Sequence, residues 1–117
     1  MSYMLLIVEP TEQRSQRTES EGRALYDRMV AFGADLKRRG LLVATESLRS
    51  QADAARVQVR DGRARVVDGP FSEAKEMVGG FFLLSCRTRD EALAIAAECP
   101  AAEWCTVEVR ALAPCYE

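Results

Sequence analysis

Histidine is absent from all 117 residues. That removes the one side chain that normally titrates near neutral pH, and the commonest nitrogen ligand of metals. Ser-His-Asp and Cys-His nucleophilic catalysis are excluded, as are zinc sites built on imidazole. Lysine is scarce: Lys37 and Lys75 are the only two among 16 basic residues, and the rest are arginine. The net charge is −2, so the broad basic footprint of a nucleic-acid binder is missing. Strictly apolar runs such as Met4 to Val8 are far too short to cross a bilayer, and no membrane association is expected. Cys86, Cys99, Cys105 and Cys115 contain no C-x-x-C pair, so neither a metal nor a redox cofactor is expected. No signal-peptide pattern precedes the first apolar run. The chain is read as cytoplasmic with reduced thiols, Cys86 and Cys99 being small core residues.

Hydrophobic residues make up 48% and charged residues 29%, an ordinary globular composition for one domain over residues 1–117. Tyr3 to Val8 reads as a buried strand stopped by Glu9-Pro10. Residues 11–18 carry no periodicity and read as a loop. From Glu19 to Arg39, Leu25, Met29, Phe32 and Leu36 recur at helical spacing, with Gly40 as the stop. Leu41 to Leu48 is a second strand. Val57 and Val59 alternate with polar residues, and Asp61-Gly62 signals a hairpin into Arg63 to Val67. Ser72 to Met77 is expected to hold a short helical turn, with Val78 to Cys86 as the fifth strand. Thr88 and Glu91 suit a capping box opening a helix to Glu98, with Leu93, Ala96 and Ala97 as its apolar face. Trp104 to Val109 closes the chain as a strand.

The order β-α-β-hairpin-β-α-β predicts an α+β fold, a ferredoxin-like antiparallel sheet with two helices on one face. Met4 to Val8 and Phe81 to Leu84 are apolar on both faces, yet two helices cover only one. The uncovered face is expected to meet a second copy of itself, giving a homodimer packed sheet to sheet.

The most informative segment runs from Asp61 to Phe81. It contains Asp68-Gly69-Pro70-Phe71, then Glu73-Ala74-Lys75-Glu76 and Gly79-Gly80-Phe81. With Tyr3-Met4-Leu5-Leu6 at the start and Val107-Glu108-Val109-Arg110 near the end, it resembles the YCII-related family in its DGPF-motif branch. The resemblance implies a dimeric α+β barrel with a cleft for a small molecule, but no single reaction. Some relatives use a His–Asp pair in hydrolytic or dehalogenating chemistry. Without histidine, only the carboxylate half carries over, onto Asp68. Other relatives lie beside extracytoplasmic-function sigma factors, so a regulatory module with a sigma-factor partner is the rival reading.

The residues can also be read physically. Asp68 at a strand end beside Gly-Pro is either a partly desolvated acid or base, or a turn-shaping acceptor. Gly69 allows a ligand or backbone to approach closely, or serves the turn. Phe71 is a core anchor or a pocket wall. Pro70, Ser72 and Glu76 join them as candidate ligand contacts. Lys75 either supports Asp68 and an anionic substrate or is a solvated charge. Gly79-Gly80 inside a strand calls for a bulge or a close approach across a dimer. Glu9 lies where ferredoxin-like barrels open their cleft and is a second acid/base candidate. Tyr3, Tyr26 and Trp104 are read as packing residues, and the arginines as mixed surface.

Overall fold

The structure is a computed structural model and describes residues 2–117. Eight regular elements follow one another: β1 (Tyr3–Pro10), α1 (Glu19–Arg38), β2 (Leu42–Ser47), β3 (Ala55–Arg60), β4 (Arg63–Asp68), β5 (Glu76–Leu84), α2 (Arg89–Glu98) and β6 (Thr106–Ala111). Four strands form one sheet in the order β2-β5-β1-β6, each neighbour antiparallel. β3 and β4 stand apart as a two-stranded ribbon. The fold is α+β, as the element order predicts.

β1 alternates strictly. Tyr3, Leu5, Ile7 and Glu9 are buried, and Met4, Leu6 and Val8 are half-buried. The inner residues pack with Phe82 and Leu84 of β5, Phe32 and Leu36 of α1, and Ala92, Ile95 and Ala96 of α2. Both helices therefore cover the same face of the sheet. Leu5, Leu36 and Leu84 are fully buried, and the Phe32 and Phe82 rings meet edge to face at 5.1 Å. Each fully buried aliphatic side chain contributes about 1.5–3 kcal/mol of transfer free energy.

Both helices start as their sequences direct. Thr18 and Glu21 form a reciprocal capping box on α1. On α2, the Thr88 hydroxyl accepts from the Glu91 N–H. The buried face of α2 differs from the expected one: Ala92, Ile95, Ala96 and Cys99 face inward, while Leu93 is 38% exposed and Ala97 is exposed. The spacing of i, i+3, i+4 and i+7 outweighs side-chain size. Residues 72–77 form no helix. The Ala74 N–H donates to Phe71 O in a single turn, and β5 already begins at Glu76 because its backbone pairs with Pro10. β5 ends at Leu84 rather than Cys86. β6 starts at Thr106, because residues 100–103 make a 3-10 turn that carries Trp104 outside the strand.

The Asp61-Gly62 turn is as expected, with φ of 52° and 73° matching the twist of a tight hairpin. Cys86 and Cys99 are buried, and no cysteine is paired among the described residues.

Candidate functional site

Glu9 is the one buried charged residue among those described, 6% exposed. Strand alternation puts it there, two residues beyond Ile7 on the helix-facing side of the sheet. A carboxylate taken out of water needs a partner. The chain supplies one by turning back after Pro10. A 3-10 turn at Arg14–Gln16 brings the Arg14 guanidinium onto Glu9. Arg14 Nη2 donates to Oε1 at 2.6 Å, while Nε reaches Oε1 and Oε2 at 3.1 and 3.2 Å. Arg14 Nη1 donates to the Leu48 carbonyl at 2.8 Å, tying the end of β1 to the end of β2.

Gly79 makes room for this pair. The β1–β5 register slips between Ile7 and Val8, leaving Gly79 as the bulged residue, so the expected bulge is present. A Cβ built at Gly79 would overlap Glu9 Oε1 and crowd Arg14 Nη2. A Cβ at Gly80 would press on the Glu46 carbonyl of β2 within the same chain.

The pair lies at the end of a cavity of about 360 Å³ between the sheet and the first half of α1. Its apolar walls include Ile7, Leu25, Met29, Leu48 and Trp104, with Tyr26 half-exposed at the side. Leu25 and Met29 continue the α1 stripe of Phe32 and Leu36 past the end of the packed core. Arg17 also lines the cavity and has no ion-pair partner among the described residues. Trp104 is held from two sides. Its carbonyl accepts from Gln13 Nε2 at 2.7 Å, and the Arg28 guanidinium lies 5.4 Å from its ring centre. Cys105 completes the wall. Burial, then the neighbouring Glu9 charge, pushes its thiol up to about 11. At neutral pH it is therefore a protonated, poorly nucleophilic group.

The other candidate residues lie elsewhere. Asp68 ends β4, is exposed, and pairs through its backbone with Ala55. The space beside Gly69 is filled by the Gln51 carbonyl, and the Gly69 N–H donates to Ala54 O at 2.7 Å, so backbone makes the close approach there. Phe71 is buried beneath Arg56, whose guanidinium sits 3.8 Å from the ring centre and is anchored by Glu73 at 2.8 Å. Pro70, Phe71 and Ser72 come together in a groove of about 340 Å³ with Arg56 and Arg65. Lys75 and Glu76 are exposed beside Pro10 and Thr11, where the Lys75 carbonyl accepts from the Thr11 N–H. The structure thus separates Glu9 from the Pro70–Ser72 groove, and neither cavity includes Asp68, Gly69, Lys75 or Glu76. No cluster of acidic or cysteine side chains suited to a metal occurs among the described residues.

Arg14 and Arg17 carry no periodic signal, which hides them in the sequence. The usable clue is Glu9 itself: alternation from Leu5 and Ile7 turns it inward, and a buried carboxylate demands a nearby cation.

Two comparisons bear on identity. An uncharacterized protein of Rhizobium meliloti (strain 1021) is 44% identical over 62 residues, covering 51% of this chain and 50% of its own length. The chain thus spans about half the length of that curated relative. The YCII-related domain matches residues 1–115, from the strand that carries Glu9 to the tail beyond β6. With the match running through every element of the fold, the chain belongs to the YCII-related family.

Proposed function

We propose that the Glu9–Arg14 cavity binds a small organic anion with an apolar or aromatic body. One observation carries the reading: the cavity holds a cation, Arg17, that forms no ion pair among the described residues, beside walls of Leu25, Met29, Tyr26 and Trp104. Its volume lies in the range of small-molecule sites. Glu9 and Arg14 already satisfy each other, so they form a rigid polar floor. Arg17 is the group left to receive a carboxylate or sulfonate. Trp104 and Tyr26 offer flat faces to the body of the ligand.

Trp104 is the only tryptophan, so its fluorescence reports directly on the cavity. Titration with 8-anilino-1-naphthalenesulfonate is expected to quench or shift that emission in a saturable way. Arg17→Ala is expected to weaken binding by roughly tenfold, the value of one charge-assisted contact. A response unchanged by Arg17→Ala would refute the assignment.

The chain acts as a homodimer in this reading. Met4, Leu6 and Val8 lie on the sheet face opposite the helices, with Phe81 and Leu83 paired beside them. These residues support a ferredoxin-like subunit closing its open face against a second copy as a dimeric α+β barrel. The Asp68-Gly69-Pro70-Phe71 tetrapeptide supports the DGPF branch. The runner-up is acid–base chemistry at Asp68, with Lys75 as support and the adjoining Pro70–Ser72 groove as the binding surface. It requires an Asp68→Asn variant that loses ligand turnover while keeping its fold. Association with a sigma factor is the reading favoured when neither site responds to any organic anion.

A further inference from the structure

The β3–β4 ribbon stands apart from the main sheet and its two helices. Its two faces differ sharply. Ala55, Val57 and Val59 share one face with Ala64, Val66 and, at the strand end, Asp68, while Arg56, Gln58, Arg60, Arg63 and Arg65 share the other with Val67. Such alternation belongs to a sheet with one dry face and one wet face. Yet the dry face is bare: Val57, Val59 and Val66 are 64%, 60% and 63% exposed. No other helix or strand among the described residues packs extensively on either strand. A lone two-stranded ribbon is marginal in water, so a covering surface has to come from outside the subunit.

We infer that the ribbon is an intersubunit arm whose Val57–Val59–Val66 face packs on a second copy of this chain. The inference rests on the homodimer reading above and extends it to a segment outside the main sheet. The area of the isolated chain argues for the occupant. It exposes 8233 Å², where a compact monomer of its mass exposes about 6,300 Å². The excess is about 1,900 Å² per chain. Two copies together carry about 3,800 Å², within the roughly 2,000–5,000 Å² buried by obligate homodimers. The radius of gyration agrees, at 16.0 Å against about 13.4 Å for a compact chain of this length. Burying the ribbon face and the open sheet face in one two-fold assembly accounts for both. The arginine face then stays in water.

Sedimentation velocity over a wide concentration range tests this on the wild-type chain and its point variants. Wild type is expected to be a dimer. Val59→Lys is expected to weaken the dimer by roughly a hundredfold or more, while Arg63→Ala on the wet face leaves it intact. Circular dichroism and Trp104 emission are expected to stay native for Val59→Lys, since the ribbon supports little of its own subunit. Should that variant misfold, the milder Val59→Thr is read instead, with a smaller weakening in the same direction. A Val59 variant as dimeric as wild type, with Leu6→Lys dissociated, would overturn the arm and keep the sheet-face dimer. A wild type that stays monomeric throughout would overturn both.

Discussion

At the scale of single residues, the Glu9–Arg14 pair shows how a buried charge is tolerated. Two nitrogens of Arg14 make three contacts with the carboxylate, and the bulged Gly79 leaves the space they occupy. Gly79→Ala inserts a methyl where Glu9 Oε1 sits, so the pair must separate or the bulge must shift. Breaking such a pair by one partner costs about 3–5 kcal/mol. The lower end applies here, because a third of Arg14 faces solvent. Gly79→Ala is therefore expected to lower stability by about 3 kcal/mol. Equilibrium urea unfolding checks it. A loss below about 0.5 kcal/mol, the scatter of neutral surface changes, would mean that the crowding at Gly79 relaxes freely. Asp68 is the contrast. It is exposed and makes no side-chain hydrogen bond among those described, so Asp68→Asn is expected to stay within about 0.5 kcal/mol of wild type. A fall of several degrees in melting temperature would instead assign Asp68 a turn-holding role.

Cys105 gives a pH signature at the same scale. Its thiol is pushed up to about 11 by burial and by Glu9, and burial raises Cys86 and Cys99 in the same direction. The folded chain thus holds these protons more tightly than the unfolded chain. For Cys105 the stabilising effect is complete below the unfolded value of 9.0 and is lost as pH rises through about 11. Melting temperature under reducing conditions is expected to fall over that window, and less steeply in Cys105→Ala. Identical slopes in the two proteins would place the titration elsewhere.

At the scale of elements, legibility tracked periodicity and local chemistry. The α1 stripe, its stop at Gly40 and the Asp61-Gly62 turn were all readable, because each depends on neighbours a few residues away. Thr18 belongs to the same class, though residues 11–18 read as featureless until its reciprocal bond with Glu21 is seen. Thr18→Ala is expected to cost about 1 kcal/mol of stability, measured as a shift in urea midpoint at unchanged slope. The failures arose where tertiary partners decide. Leu93 is large but sits beside the inward stripe, and Ala92 is small but faces the sheet. The expected turn over 72–77 yields to pairing of Glu76 and Met77 with Pro10 and Glu9, a contact about 67 residues distant in sequence that no local pattern encodes. The cavity was hidden for the same reason. Its walls come from β1, the turn after it, α1, the end of β2 and the Trp104 loop, which only the fold assembles.

At the scale of the whole molecule, the extents of 46 × 41 × 19 Å describe a two-layer slab: one sheet, one layer of helices and a ribbon reaching past them. Such a slab has a bare back. If two slabs share it, folding and association become one equilibrium, and apparent stability must depend on protein concentration. A tenfold rise in concentration adds about 1.4 kcal/mol to the dimer. Unfolding entropy near the midpoint is about 2.1 cal/mol/K per residue, or about 0.5 kcal/mol/K for two chains of this length. The ratio sets the expectation: melting temperature rises by about 3 °C for each tenfold increase in protein. Differential scanning calorimetry at two concentrations a hundredfold apart should then show midpoints about 6 °C apart. Ligand-free protein is needed, because an anion in the Arg17 cavity would raise both midpoints and mask the difference. Superimposed midpoints would mean that each slab melts alone, leaving the valines of the ribbon and the apolar back of the sheet without the partner argued for them here.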